Sequence, residues 1–325
     1  MEYRRLGSSG VRVSKLGLGT NSFGSRADRE TSIRIIHQAL DLGINFIDTA
    51  NIYSGSESER IIGEALKGRR HEAVLATKAG LPKGGGPNDK GSSRYHIQRE
   101  LEDSLKRLNT DHIDLYQIHT FDPDTPLEET LRTLDDLVRA GKIRYIGASN
   151  YAAWELMKAL GISDRLGLAR FTSIQPSYSL ADRTPEQELV PLCLDQGLGI
   201  IPYFPLAGGV LTGKYAAGSP APEGSRLAKD PNFGKRLDEA RYELGAQVGK
   251  IAKELGTSAS ALSLAWLMQR PAVSTIIVGA SRPEQVLDNH ASVSLHLDRE
   301  TVEQLDRISE PFLYGKPFAV FRLPS

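Results

Sequence analysis

Apolar residues along this chain follow two rhythms that take turns. Short runs in which nearly every position is apolar or small, such as IDLYQIH (113–119), IRYIGAS (143–149) and STIIVGA (274–280), read as strands buried on both faces. Five more runs share that character: KLGLGT (15–20), INFIDT (44–49), AVLATK (73–78), TSIQP (172–176) and LGIIPY (198–203). Between them apolar residues recur every three or four positions, the spacing of one helix face. RETSIRIIHQALDLG, ESERIIGEALKG, RYHIQRELEDSLKRLN, LEETLRTLDDLVRAGK and PEQELVPLCLDQG are the clearest cases. After the seventh strand-like run the helical pattern lengthens to LDEARYELGAQVGKIAKELG and SASALSLAWLMQ. RPEQVLDNHA and DRETVEQLDRIS follow the eighth. The opening YRRLGSSGVRVSKLGLGT reads as two short strands around a Ser8-Ser9-Gly10 turn.

Eight strand–helix units imply a parallel sheet. They predict an α/β fold of the (β/α)8 TIM-barrel type, with an N-terminal β-hairpin and extra helices and loops after strands 7 and 8. A doubly wound open sheet has the same local grammar, but it usually carries G-x-G-x-x-G at its first strand–helix turn. Here Gly17 and Gly19 are followed by Ser22 where the third glycine belongs, so the barrel is favoured. Two Gly/Pro-rich segments, 80–93 and 216–235, are flanked on both sides by strand–helix units. They read as loops inside one domain spanning 1–325, of a length that suits a lid or surface disorder.

Composition narrows the function classes. Forty basic residues balance forty acidic ones, so bulk charge favours neither a nucleic acid nor an anionic membrane as partner. The lone cysteine, Cys193, excludes an internal disulfide, fits a reducing cytoplasm and reads as an inert buried thiol. MEYRRLGSSG has no apolar signal core, and no run of about 18 apolar residues occurs anywhere. A cytoplasmic, soluble protein is expected.

In a barrel the active site is built where the strands end. Those positions hold Gly19–Asn21, Asp48, Lys78, His119, Ser149–Asn150, Gln175, Tyr203 and Gly279–Arg282, with Tyr53 just past the second strand. Each has an ordinary reading: Asp48 as a turn cap, Tyr53 as packing, Lys78 as a solvated strand end, His119 as a satisfied core histidine. Together they can donate a proton. A phenol titrates near pH 10, an adjacent ammonium lowers that value, and a carboxylate would keep the ammonium charged and oriented. The imidazole could then hold a substrate oxygen.

The chain resembles the aldo-keto reductases over essentially its whole length. INFIDTANIYSGSESERIIGEAL, VLATK, HIDLYQIH, IRYIGASNY and IIVGASRPEQVLDN carry the resemblance in order. YFPLAGGVLTGKY is similar to the branch that holds bacterial reductases and potassium-channel β-subunits. The resemblance implies a catalytic tetrad of Asp48, Tyr53, Lys78 and His119. Tyr53 would be the general acid, Lys78 would lower its pKa, Asp48 would pair with Lys78 and His119 would orient a carbonyl. It implies NADPH rather than NADH as hydride donor, a small carbonyl compound as substrate, and no metal.

For the cofactor it points to Ser149, Asn150 and Gln175 at the carboxamide, Tyr203 stacked on the nicotinamide, and Gly19, Thr20 and Asn21 bordering the ring. Asp48, Pro205, Leu206, Gly208 and Gly279 complete that wall. Ser281 and Arg282 at a helix start suit a phosphate monoester. Gln285 and Asn289, four apart on one helix face, would reach the adenine. Lys214 and Arg226 would approach the phosphates. GGVLTGKY (208–215) has Walker A spacing, but Tyr215 cannot supply the small hydroxyl for magnesium and no helix pattern follows. It reads instead as a cofactor loop. A nucleotide-sensing regulatory subunit and a Schiff-base lyase using Lys78 are the alternatives, and a glycoside hydrolase lacks its second carboxylate. The substrate's identity is not written in these motifs. The aromatic tail (Phe312, Tyr314, Phe318, Phe321) could cover the pocket or pack on the barrel wall.

Overall fold

A computed structural model describes residues 1–215, 226–229, 234 and 236–323. Strands β1 (Tyr3–Arg5) and β2 (Arg12–Ser14) form the antiparallel hairpin, Tyr3 opposite Ser14. Its Leu6 and Val13 are fully buried against Phe46, Leu115 and Ile201 of the barrel interior, so the hairpin plugs the end where the strands begin. Gly7 makes this approach possible. A Cβ there would stand 2.5 Å from the Thr172 carbonyl, and its φ of +57° is open mainly to glycine.

The eight predicted strands are all present: β3 (Leu16–Gly19), β4 (Phe46–Asp48), β5 (Val74–Ala79), β6 (Ile113–Ile118), β7 (Ile143–Ser149), β8 (Phe171–Gln175), β9 (Gly199–Ile200) and β10 (Ile276–Gly279). They run parallel in the order β10-β3-β4-β5-β6-β7-β8-β9. Backbone bonds from Ile200 N to Ala272 O (2.8 Å), Ser274 N to Ile200 O (3.0 Å) and Ile277 N to Pro202 O (3.2 Å) close the ring. β9 is shorter than LGIIPY suggests, because Pro202 has no N–H to donate and Tyr203 beyond it makes only an isolated bridge to Ser177.

Outside the sheet lie α1 (Arg29–Asp41), α2 (Glu57–Ala65), α3 (Arg94–Leu108), α4 (Leu127–Arg139), α5 (Ala153–Leu166) and α6 (Leu189–Gln196). Asp28 and Ser93 cap α1 and α3 by accepting from Thr31 N and His96 N. The PEQELVPLCLDQG pattern splits into a 3-10 turn at Thr184–Glu186 and then α6, with Pro191 in the first helical turn, where a missing N–H costs nothing. Between β9 and β10 come α7 (Arg226–Lys229), α8 (Glu239–Glu254) and α9 (Ala259–Met268); α10 (Pro283–His290) and α11 (Arg299–Ile308) follow β10. Every residue of α9 except Ser260 is buried, since it lies among α8, α10 and the barrel. Among the described residues no helix is long and apolar enough to cross a membrane.

Segment 80–93 is bound to its surroundings. Arg99 donates to Asp89 Oδ1 (2.7 Å), Gly86 N to Asp89 Oδ2 (2.8 Å) and Ser92 N to Asp122 Oδ2 (2.6 Å). Most of segment 216–235, and with it the lid reading of that loop, lies outside the described residues.

Candidate active site

Asp48 ends β4 and Lys78 sits on β5, where its register partner on β6 is Gln117. Lys78 is wholly buried. Its Nζ donates to Asp48 Oδ2 (2.5 Å), to the Thr49 carbonyl (2.8 Å) and to the Tyr53 hydroxyl (3.3 Å). The other carboxylate oxygen, Asp48 Oδ1, accepts from Gln117 Nε2 (3.1 Å) and Gln175 Nε2 (2.9 Å). Both oxygens of the buried carboxylate therefore have donors, as a buried ion pair requires. Gln117 is absent from the strand-end reading. Two-residue periodicity was its signal, because it shares a strand face with His119 and is the only amide inside IDLYQIH.

Tyr53 is delivered by an unusual turn. Ser54, Gly55 and Ser56 follow it with φ of 50°, 64° and 76°, three left-handed residues in succession. Two are serines, for which this region costs roughly 1–2 kcal/mol each. Ser56 Oγ donates to the Asn51 carbonyl (2.6 Å), and Asn51 N donates to the Lys78 carbonyl (3.1 Å). The Tyr53 ring meets His119 edge-on, centroids 6.0 Å apart at 76°.

Burial sets the titration of this cluster. It raises the Tyr53 phenol, and although Lys78 pulls the other way, the net direction is upward. Lys78 lowers the phenol's pKa in the direction expected, but desolvation, the larger influence, outweighs the ammonium. For Lys78 burial favours the neutral amine, but Asp48 and Tyr53 overcome it and its pKa is raised. His119 falls well below the usual imidazole value, from burial first and the Lys78 charge second, so it is neutral at pH 7. Its Nδ1 is buried without a partner among the described residues. An unmet lone pair is cheaper to bury than an unmet N–H, so the proton belongs on Nε2 of this cavity-lining residue.

Ser149, Asn150, Gln175 and Tyr203 come together but bond to one another. Asn150, held at φ 56°, donates to His119 O (2.9 Å) and Ser149 Oγ (3.0 Å) and accepts from Tyr203 OH (2.7 Å). Ser149 Oγ donates to Gln175 O (2.9 Å). The Gln175 amide nitrogen is committed to Asp48, which leaves its Oε1 for a ligand. The Tyr203 hydroxyl also lies 3.0 Å from Ala319 O, so the tail braces this platform.

A cavity of about 620 Å³ runs from Tyr53 and His119 past Tyr203 to the start of α10. Gly19, Thr20, Asn21 and Gly279 line one side; Pro205, Leu206, Gly208 and Lys214 line the other. Ser281, Arg282, Gln285, Asn289 and the acid Asp288 line its far end. There Gln285 Oε1 accepts from Ser281 N (2.8 Å) and Ser281 Oγ (3.2 Å), so that oxygen closes the helix entry. GGVLTGKY forms irregular 3-10 turns, Ala207–Thr212, with Gly208 and Gly209 at φ 65° and 107°. Tyr215 is buried, with Lys214 Nζ 5.2 Å from its ring centroid. The side chain of Arg226 falls outside the described residues.

The tail meets both of its readings. Phe321 lines the cavity, 6.0 Å from the Tyr203 ring, whereas Phe312 and Phe318 are buried against the barrel and Tyr314 is exposed. Thr120 Oγ1 donates to Phe321 O (2.7 Å), and Phe318 N donates to Asp182 Oδ2 (2.7 Å).

Residues 15–310 match the model of the aldo/keto reductase family. The uncharacterized oxidoreductase YrpG of Bacillus subtilis (strain 168) is 43% identical over 95% of this chain and 96% of its own length. A probable voltage-gated potassium channel subunit beta of Oryza sativa subsp. japonica is 37% identical over 98% of each. The L-glyceraldehyde 3-phosphate reductase of Escherichia coli O157:H7 is 34% identical, covering 94% of this chain and 92% of that one.

Proposed function

The chain belongs to the aldo/keto reductase family and is an oxidoreductase, and on that premise we propose that it reduces aldehyde or ketone carbonyls to alcohols with NADPH as donor. The observation that carries the reading is the buried Asp48–Lys78–Tyr53 chain opening on a cavity shared with His119.

The residues fit a dinucleotide. The cavity is continuous and about 620 Å³, it has the flat ring of Tyr203 near Tyr53, and cations Lys214 and Arg282 stand toward its far end. Tyr203, Ser149, Asn150 and Gln175 would hold the nicotinamide end, and Ser281 and Arg282 the 2′-phosphate. When bound, NADPH supplies the hydride.

The chain's own residues manage the oxygen. A carbonyl oxygen between Tyr53 OH and His119 Nε2 accepts from both. As negative charge grows on it, Tyr53 passes its proton across, and the phenolate left behind faces the Lys78 ammonium at 3.3 Å. The raised phenol keeps its proton at neutral pH, as an acid catalyst must. It can still protonate an alkoxide, which is the stronger base. Asp48, fixed by Gln117 and Gln175, keeps Lys78 charged.

The experiment is NADPH consumption followed optically with a panel of aldehydes and ketones, alongside Tyr53→Phe. Turnover in the parent chain, lost in Tyr53→Phe with NADPH affinity kept, is the expected result. Tight NADPH binding with no turnover on any carbonyl would favour a nucleotide-sensing role instead.

A further inference from the structure

One buried acid outside the cavity reaches the turn that carries Tyr53. Glu100, on α3, is 3% exposed. Its Oε2 accepts from Asn51 Nδ2 (2.8 Å) and from Lys83 Nζ (2.8 Å). Asn51 stands two residues before Tyr53 and is fastened by its backbone at two places. Its N–H donates to the carbonyl of Lys78, and its own carbonyl accepts from Ser56, the last of the left-handed residues. Asn51 is therefore the joint between the strand bearing the ammonium and the strained run after the phenol. Its Oδ1 is buried and unpartnered, so Glu100 alone anchors this amide among the described residues.

We propose that Glu100 is a positioning residue for proton transfer: through Asn51 it fixes the rotation of the Tyr53 turn, and so the distance from the Tyr53 hydroxyl to Lys78 Nζ. The inference rests on the reductase reading for its kinetic arm. Without the carboxylate the Asn51 amide has a donor with no acceptor in a site closed to water, and the left-handed run loses the contact that opposes its relaxation. Lys83 offsets the charge of the buried acid, and Arg99 lies 3.7 Å from its other oxygen. Glu100 lines no part of the cavity, so it acts through Asn51 rather than on a ligand.

Glu100→Ala, Glu100→Gln and Asn51→Ala are compared in the full-length protein. Ala at 100 should lower kcat about 10- to 100-fold, with the NADPH Kd and aldehyde KM held within about twofold. Gln at 100 still offers Asn51 an acceptor and should restore kcat to within about threefold. Asn51→Ala, which breaks the link from its other end, should match the Glu100→Ala loss and serves if the latter fails to fold. A second readout needs no turnover: the tyrosine-ring 13C resonance that vanishes in Tyr53→Phe should move in Glu100→Ala and return in Glu100→Gln. Should the parent chain reduce nothing, the reductase reading falls and this resonance still judges Glu100. An unmoved resonance with unchanged kcat, or Gln as damaging as Ala, overturns the proposal.

Discussion

Asp48→Asn probes the ion pair on which the proposed proton donor depends. The two oxygens of Asp48 have separate duties: Oδ2 faces Lys78 Nζ at 2.5 Å, and Oδ1 accepts from Gln117 and Gln175. A carboxamide has one oxygen. If that oxygen faces the glutamines, the NH2 points at the ammonium; if it faces Lys78, the NH2 meets two amide donors. Either rotamer sets donor against donor and strips a wholly buried lysine of its counter-ion. Removing one partner of such a pair costs about 3–5 kcal/mol. The variant recovers part of this by letting Lys78 go neutral. In the parent chain burial lowers the Lys78 pKa and the attraction of Asp48 and Tyr53 more than reverses it; with Asp48 gone, burial wins. The folded pKa then drops below the unfolded value of about 10.4. Between those two values the unfolded variant binds a proton that the native one does not. Its stability therefore rises with pH, by about 1.4 kcal/mol per unit. The parent behaves oppositely: its raised Lys78 contributes fully below about 10.4, and that contribution fades as pH climbs through the folded value. The variant's rise closes the gap toward pH 10, where the parent's contribution is still nearly complete. Urea unfolding of the two chains at pH 7, 8, 9 and 10 measures it. A gap below about 1 kcal/mol at pH 7, or one that stays constant through pH 10, refutes the buried-charge account.

The rate of carbonyl reduction should stay level from about pH 7 to 9, since His119 is already neutral and Tyr53 keeps its proton, and fall as pH rises through the raised phenol value. A step near pH 6.5 that disappears in His119→Gln would contradict this. Arg282→Ala should weaken NADPH about tenfold and leave NADH nearly unchanged in fluorescence titrations; equal losses would place the 2′-phosphate elsewhere. Phe321→Ala removes a ring from the cavity wall and should raise KM for aromatic aldehydes about fivefold with kcat kept. An unchanged KM would leave the tail a purely structural role.

The alternation of apolar runs and amphipathic stretches made the barrel legible, because a strand covered on both faces has few ways to be written. What it could not show was where the ring closes, since the bonds of Ile200 and Pro202 to residues beyond α9 are backbone bonds. The four converging side chains were visible as chemistry at strand ends. The direction of the Tyr53 shift was not, because it depends on how much water the folded surroundings exclude. Ser149, Asn150 and Gln285 were legible as polar groups lining a site, but their existing partners appear only once the strands are side by side. Glu100 offered no local signal: it is one acid among several on an amphipathic helix, and its partner lies 49 positions away.

The strands are not equally long around the ring. The ion pair and His119 sit on the arc from β4 to β6, where β5 and β6 are each six residues long. The closure falls opposite, at β9, which has two residues and is followed two positions on by a proline. That seam separates the strand leading to Tyr203 from the one leading to Gly279, which flank the elongated part of the cavity. Breathing at the seam would widen the berth of a long ligand and leave the proton chain undisturbed, so loading and chemistry draw on different parts of the same ring.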